Sequence, residues 1–301
     1  MNLDLLLLAA VDGLSYASLL FMIALGLTLI CGVFGVINVA HGSFYAFGGY
    51  SAATVLAWLM PDDASVPLLV CALLCTAILV GGALGALLEL GIMRRFQDRD
   101  PVLQLLVTFA VFMILENLQR MIWGSTPVNA GGLVGRMGTI ELLGVTFMKY
   151  QLLLVPGIAL ASFFGLQCLL RYSITGRKLL AVIHHREVAT ALGIDAARMG
   201  LMTFALGGAL GAVGGALSVP MTTFVPGVAA DMVVTSFAVI ATAGLGQITG
   251  ALVASILIGQ ARALAVYTLP ELEVVMPYLM MVLVLLIRPS GLFSVAEARR
   301  I

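Results

Sequence analysis

With 301 residues, 61% of them hydrophobic and only 10% charged, the chain is far poorer in charge than a soluble domain, which has about 25% charged residues. Its formal net charge is zero, so the placement of its few charges carries more information than their sum. Composition excludes an ordinary soluble enzyme and predicts an all-α polytopic bundle in a membrane, with residues 1–301 forming a single domain.

The N-terminal stretch MNLDLLLLAAVDGL has no basic start, so it is expected to be retained rather than cleaved as a signal peptide. A spanning helix takes about 20 largely apolar residues. Candidate spans run over 11–32, 36–59, 66–93, 102–123, 150–170, 198–220, 232–246, 248–267 and 272–288. Eight or nine crossings are therefore expected, some of them short or broken. The four cysteines (Cys31, Cys71, Cys75 and Cys168) lie in apolar segments and read as small buried residues rather than disulfide or metal partners.

The first interruption is GVFGVINVAHGSFYAFGGY, residues 32–50. Gly32 and Gly35 break an apolar run, and Asn38, His41, Gly42 and Ser43 follow at bilayer depth. Backbone groups freed there must be satisfied by protein, water or solute, which predicts a broken helix. A half-helix starting near His41–Ser43 would turn its positive end toward an anionic group. The alternative is a plain kink tied to neighbouring helices.

Charges within spans are costly and are expected to pair or to line water. Glu116 and Arg120 stand at i, i+4 and are expected to pair with each other. Asp12 and Arg262 have no local partner, and Glu89 lies close enough to Arg94 to read as interfacial. Residues 124–149 form the longest loop on the opposite side from the basic clusters, with TIELLGVTF a candidate hairpin.

Arg171–Arg198, RYSITGRKLLAVIHHREVATALGIDAAR, is a polar island between two apolar segments. Val188, Ala191 and Leu192 fall at helical spacing, and Gly193 suits the position just past a helix end. His184 and His185 point about 100° apart on a helix, a poor arrangement for a shared metal. After the island, Gly207, Gly211 and Gly215 form a small-residue ridge, as Gly81 and Gly85 do on another helix, and both suit close packing within the chain. A second interruption, ATAGLGQITGA at 241–251, sets Gly244, Gly246, Gln247, Thr249 and Gly250 between two short apolar runs. It reads either as a partner of the first broken segment or as a tight turn on the cytoplasmic side.

Basic residues collect on cytoplasmic loops. Eleven of the 15 fall in three groups: Arg94, Arg95 and Arg99; Arg171, Arg177, Lys178, Arg186 and Arg198; and Arg288, Arg299 and Arg300. The C-terminus is thus expected in the cytoplasm. Nine crossings put the N-terminus outside, and eight put it inside. The chain contains neither HExxH nor GxxxxGK[ST], so no catalytic residue, bound metal or ATP cradle is expected in it.

Three stretches carry a resemblance: GLTLICGVFGVINVAHGSFYAFGGY (26–50), EVATALGIDAARMGLMTFALGGALGAVGGAL (187–217) and TAGLGQITGALVASILIG (242–259). Together they resemble the first of the two permeases of branched-chain amino acid ABC transporters, within a wider group that includes ribose-type sugar permeases. Asn38, His41 and Gly42 match that family's Asn-x-Ala-His-Gly pattern. The resemblance implies a route lined near Asn38, His41, Gly42, Ser43, Gly244, Gly246, Gln247 and Thr249. It also implies that 171–198 is a cytoplasmic coupling loop, with Arg186, Glu187, Ala191, Leu192 and Gly193 as ATPase contacts. The implied partners are a second related permease, two ABC ATPases holding ATP and magnesium, a periplasmic binding protein and membrane lipid, with no nucleic acid. The implied place is the inner membrane. Gln247 and Thr249 stand where the family often has Ser and Pro, so a urea or short-amide permease of the same family is the alternative. An ion-coupled secondary transporter is the rival outside it.

Overall fold

The computed structural model describes residues 3–35, 37–60, 64–97 and 99–293, so Asp62, Asp63, Arg299 and Arg300 lie outside the described residues. Helix α1 (Leu3–Phe34) is followed by α2 (His41–Leu59) and α3 (Val66–Leu88). Helix α3 starts with a proline in its first turn, where no N–H is needed, and passes through a π-helical turn (Glu89–Met93) into α4 (Arg94–Phe96). Asp100 caps α5 (Pro101–Trp123) by accepting from the Val102 N–H at 2.8 Å, and Gly124 ends that helix at φ 76. A short helix α6 (Gly132–Met137) precedes the expected hairpin, β1 (Thr139–Leu142) against β2 (Val145–Met148), with Thr139 opposite Met148. After a π-helical turn (Tyr150–Leu154) come α7 (Val155–Tyr172), α8 (Ile174–His184), α9 (Arg186–Ala191) and α10 (Ala196–Ser218). The chain continues as α11 (Val228–Ala243), α12 (Ile248–Thr268), a 3-10 turn (Pro270–Leu272) and α13 (Met276–Ile287).

Among the described residues, six helical stretches are long and apolar enough to cross a membrane: Asp4–Phe34, Val66–Phe96, Pro101–Trp123, Tyr150–Tyr172, Ala196–Ser218 and Ile248–Thr268. The other three expected spans form shorter or more polar helices. Helix α2 has 19 residues, opens only at His41 and carries several polar side chains, while α11 and α13 have 16 and 12 residues. This is a multi-pass helical membrane protein, and its interior is organised around α1 and α10. Of their apolar windows 83% and 67% are buried inside the protein, against 22% for both α5 and the Tyr150–Tyr172 stretch, whose outer faces are left for lipid.

Helix α10 packs against α1, α2 and α3, and its glycine ridge is the reason it can. A Cβ placed on Gly215 would run into the Tyr45 carbonyl of α2, and one on Gly207 would sit 2.8 Å from the Gly26 carbonyl of α1. The ridge is thus used within the chain. Gly81 and Gly85 meet the other side of the same helix, against Gly208 and Phe204.

Of the charges inside spans, Glu116 and Arg120 pair as expected at 2.7 Å. Arg262 does have an acidic partner, Glu273, beyond the end of its own helix, and stacks 4.0 Å over the Tyr16 ring. Asp12 accepts from Gln151 and from the Tyr267 hydroxyl. Glu89 is 0% exposed: it extends the row of α3 residues buried every fourth position (Leu69, Leu73, Ala77, Gly81, Gly85), and it accepts from Gln97. Only Cys31 among the cysteines is buried, since Cys71, Cys75 and Cys168 sit on outward faces of peripheral helices. Arg262→Ala leaves Glu273 without its cation. Both side chains are about a third exposed (28% and 34%), which keeps the cost near the low end for a broken pair. A loss of roughly 1–2 kcal/mol is expected, read as a fall of about 2–6 °C in the melting midpoint in detergent. Adding Glu273→Gln should return part of it, and no fall in the single variant would show the pair to be neutral.

Candidate functional site

Helix α1 stops at the Cys31–Gly35 turn, where Gly35 takes φ 66 and its N–H bonds the Cys31 carbonyl at 2.8 Å. Helix α2 does not resume at that level. The His41 Nε2 lies 3.0 Å from the Ile23 carbonyl, eleven residues back along α1. The His41 side chain thus reaches back along α1 into the bundle. The interruption is thus a true break rather than a kink, and it runs beside α1 instead of continuing it.

The segment before α2 is a turn, closed by the His41 N–H on the Asn38 carbonyl at 3.3 Å, and side chains hold it in place. Asn38 Oδ1 accepts from the Ala40 N–H at 3.0 Å, and Thr108 of α5 accepts from the Val39 N–H at 3.3 Å. Asn38, His41 and Ser43 are all buried, at 3%, 0% and 1% exposure. Gly42 faces the Ala229 backbone at the start of α11, and His41 Nε2 sits 3.0 Å from where a Cβ on Gly211 would be. Asn38 Nδ2, His41 Nδ1 and Ser43 Oγ find no partner among the described residues, so buried polar capacity is left over around the first turn of α2.

The α11–α12 turn lies elsewhere. Gly244 (φ 100) ends α11 and Gly246 (φ 74) starts the return, with Gly246 Cα 3.5 Å from a Cβ position on Gly32. Leu292 and Phe293 bond back to the Thr242 and Ala243 carbonyls, at 2.9 and 3.1 Å. Gln247 is half-buried and Thr249 exposed. The two interrupted motifs therefore meet at the end of α1, Gly32 against Gly246, while His41, Gly42 and Ser43 lie deeper.

The polar island forms two helices at the same end. Ser173 caps α8 through the Gly176 N–H at 2.8 Å. His185 breaks the chain, and α9 closes with Gly193 at φ 82, where the Ile194 N–H returns to the Ala189 carbonyl at 3.0 Å. Asp195 then caps α10 through the Arg198 N–H at 3.1 Å, so the four residues Leu192–Asp195, bonded at both ends, join α9 firmly to α10. Only Ala189 of α9 faces inward. Arg186, Glu187, Val188, Ala191 and Leu192 are exposed, Val188 at 57% and Leu192 at 77%.

A polar cluster that the sequence did not single out lies between the island and the break. Gln97, Gln104 and Thr108, with Asn38, line a narrow cleft walled by Phe34, Met93 and Phe204. Gln104 donates to the Gln97 and Arg99 carbonyls, at 3.1 and 2.8 Å. The available signal was an uncharged polar residue repeated inside apolar runs.

The family described as branched-chain amino acid transport system / permease component matches residues 9–285. The high-affinity branched-chain amino acid transport system permease protein LivH of Salmonella typhimurium is 28% identical over 305 residues, covering 96% of each chain. LivH of Escherichia coli matches at the same identity and coverage. BraD of Pseudomonas aeruginosa, a protein of the same description, is 28% identical over 97% of this chain and 96% of its own. A solved structure, PsaBC from Streptococcus pneumoniae in complex with Fab, superposes at a TM-score of 0.49 with 14% identity, covering 93% of this chain and 91% of its own.

Proposed function

We propose, for a chain that belongs to the branched-chain amino acid transport permease family, the role of one membrane subunit of an ATP-driven importer in the bacterial inner membrane. Its solute is a branched-chain amino acid or a close relative, in line with the printed descriptions of LivH and BraD. It works with a second related permease, two cytoplasmic ATPases that hold ATP and magnesium, and a periplasmic binding protein. The N-terminus lies outside and the C-terminus inside, with nine passes counting α2, α11 and α13. The basic end, which gathers Arg94, Arg95, Arg99, the 171–198 island and Arg288, supports that orientation.

One observation carries the reading: α9, with its exposed face, continues through the capped four-residue link Leu192–Asp195 into α10, and α10 touches both sides of the α1–α2 break. The exposed face of Arg186, Glu187, Val188, Ala191 and Leu192 receives the ATPase. Displacement of α9 moves α10 as a rod, because its glycines leave no compliant side chains between it and α1, His41 and Tyr45. The buried polar groups of Asn38, His41 and Ser43, with the Gly244–Thr249 turn at the exit, then meet the solute as the route opens and closes in alternating access. Purification of the tagged chain in mild detergent tests this assembly. A P-loop ATPase and a second permease should come down with it, and a chain that emerges alone and homogeneous would count against it.

A further inference from the structure

We infer that Gln97 is the joint that ties the ATPase-facing helix α9 to the α1–α2 break, acting as a positioning residue for coupling; the inference rests on the proposed importer role. Gln97 follows α4 and makes hydrogen bonds with both side-chain ends and its carbonyl. Its Oε1 accepts from the Arg186 guanidinium at 2.8 Å, and Arg186 is the first residue of α9. Its Nε2 donates to the Glu89 carboxylate at 2.5 Å, and its own carbonyl accepts from Gln104 of α5 at 3.1 Å. One turn along α5 from Gln104, Thr108 accepts from the Val39 N–H inside the break. Hydrogen bonds, joined by one turn of α5, thus lead from α9 through Gln97 to the turn beside Asn38. Its far anchor is Glu89, fully buried on the π-helical turn, with Oε1 taken by Gln97 and Oε2 unpartnered among the described residues.

This arrangement costs more than packing requires. A buried carboxylate is expensive to hold and is kept only where its partner is fixed. Fixing that partner also fixes Gln97, and a fixed Gln97 presents one oxygen to α9. The α9–α10 rod delivers motion to the deep side of the break at His41, while Gln97 delivers it to the shallow side at Val39. The two contacts together move the segment between them as one piece.

Donor and acceptor can be exchanged within the pair, which supplies the test. In the complex reconstituted with its ATPases and binding protein, Gln97→Glu sets two carboxylates face to face and still offers Arg186 an acceptor. Uptake per ATP hydrolysed should fall by about tenfold or more. Adding Glu89→Gln rebuilds the same bond with the donor on residue 89, and the ratio should return to within about twofold of the parent. The inference is overturned if Gln97→Glu leaves the ratio unchanged, if it lowers only the yield of assembled complex, or if the double variant stays as poor as the single one. A parent complex that hydrolyses ATP without accelerating uptake would overturn the importer role itself, and this inference with it.

Discussion

Val188→Asp combined with Leu192→Asp is expected to strip the ATPases from the membrane subunits and to abolish ATP-driven uptake, while the chain still folds and inserts. Both side chains are exposed, at 57% and 77%, whereas Ala189 is 2% exposed and keeps α9 seated. Exposed substitutions away from caps change stability by only about 0.5 kcal/mol. The Gly193 turn and the Asp195 cap are untouched by the change. Burying two large apolar side chains under a partner contributes about 1.5–3 kcal/mol each. A carboxylate forced into the same contact adds a penalty of its own. A loss of roughly 4 kcal/mol or more corresponds to an affinity about a thousandfold weaker. Co-purification of the ATPase reads the first effect and proteoliposome uptake the second. Full ATPase recovery in the double variant would mean that α9 rests on lipid headgroups instead.

Gly215→Val is expected to produce the largest loss of stability. Helices α10 and α2 touch there backbone to backbone, so a branched side chain has to displace the Tyr45 carbonyl rather than a flexible neighbour. Tyr45 in turn stacks on Phe224 with ring centroids 5.4 Å apart, so the strain spreads into the loop that closes the bundle. Overpacking of this kind costs about 3 kcal/mol, a fall of roughly 6–12 °C in melting midpoint for a chain of this size. Gly165→Val is the control, since a Cβ on Gly165 meets nothing within 4 Å. Equal midpoints for the two variants would show that the ridge is not the packing seam.

The sequence revealed most where local chemistry decides the outcome. Gly193 marks a helix end, as its place suggested, because left-handed residues act within a few positions. The Gly32–Gly35 interruption, the hairpin of 139–148 and the basic end were legible for the same reason. Contacts made through space were not. Gln97 and Arg186 are 89 residues apart, and no spacing rule joins them. Arg262 and Glu273 lie on either side of a helix end, so the i, i+4 pattern that identified Glu116 and Arg120 is blind to them. The burial of Glu89 within the protein was not read, because nearness to Arg94 along the chain says nothing about the α3 face of Gly81 and Gly85 that Glu89 continues. The break at 35–41 could be located but not oriented, since only the contact of His41 with Ile23 shows that the His41 side chain reaches back into the bundle.

The central claim is that ATP hydrolysed on partner subunits moves a solute through this chain. The most direct measurement is uptake of labelled leucine into proteoliposomes holding the purified complex, with binding protein on the outer side and ATP trapped inside. Uptake that requires ATP and stops with vanadate is the predicted result. Uptake by this chain alone, driven by an ion gradient and indifferent to vanadate, would contradict it.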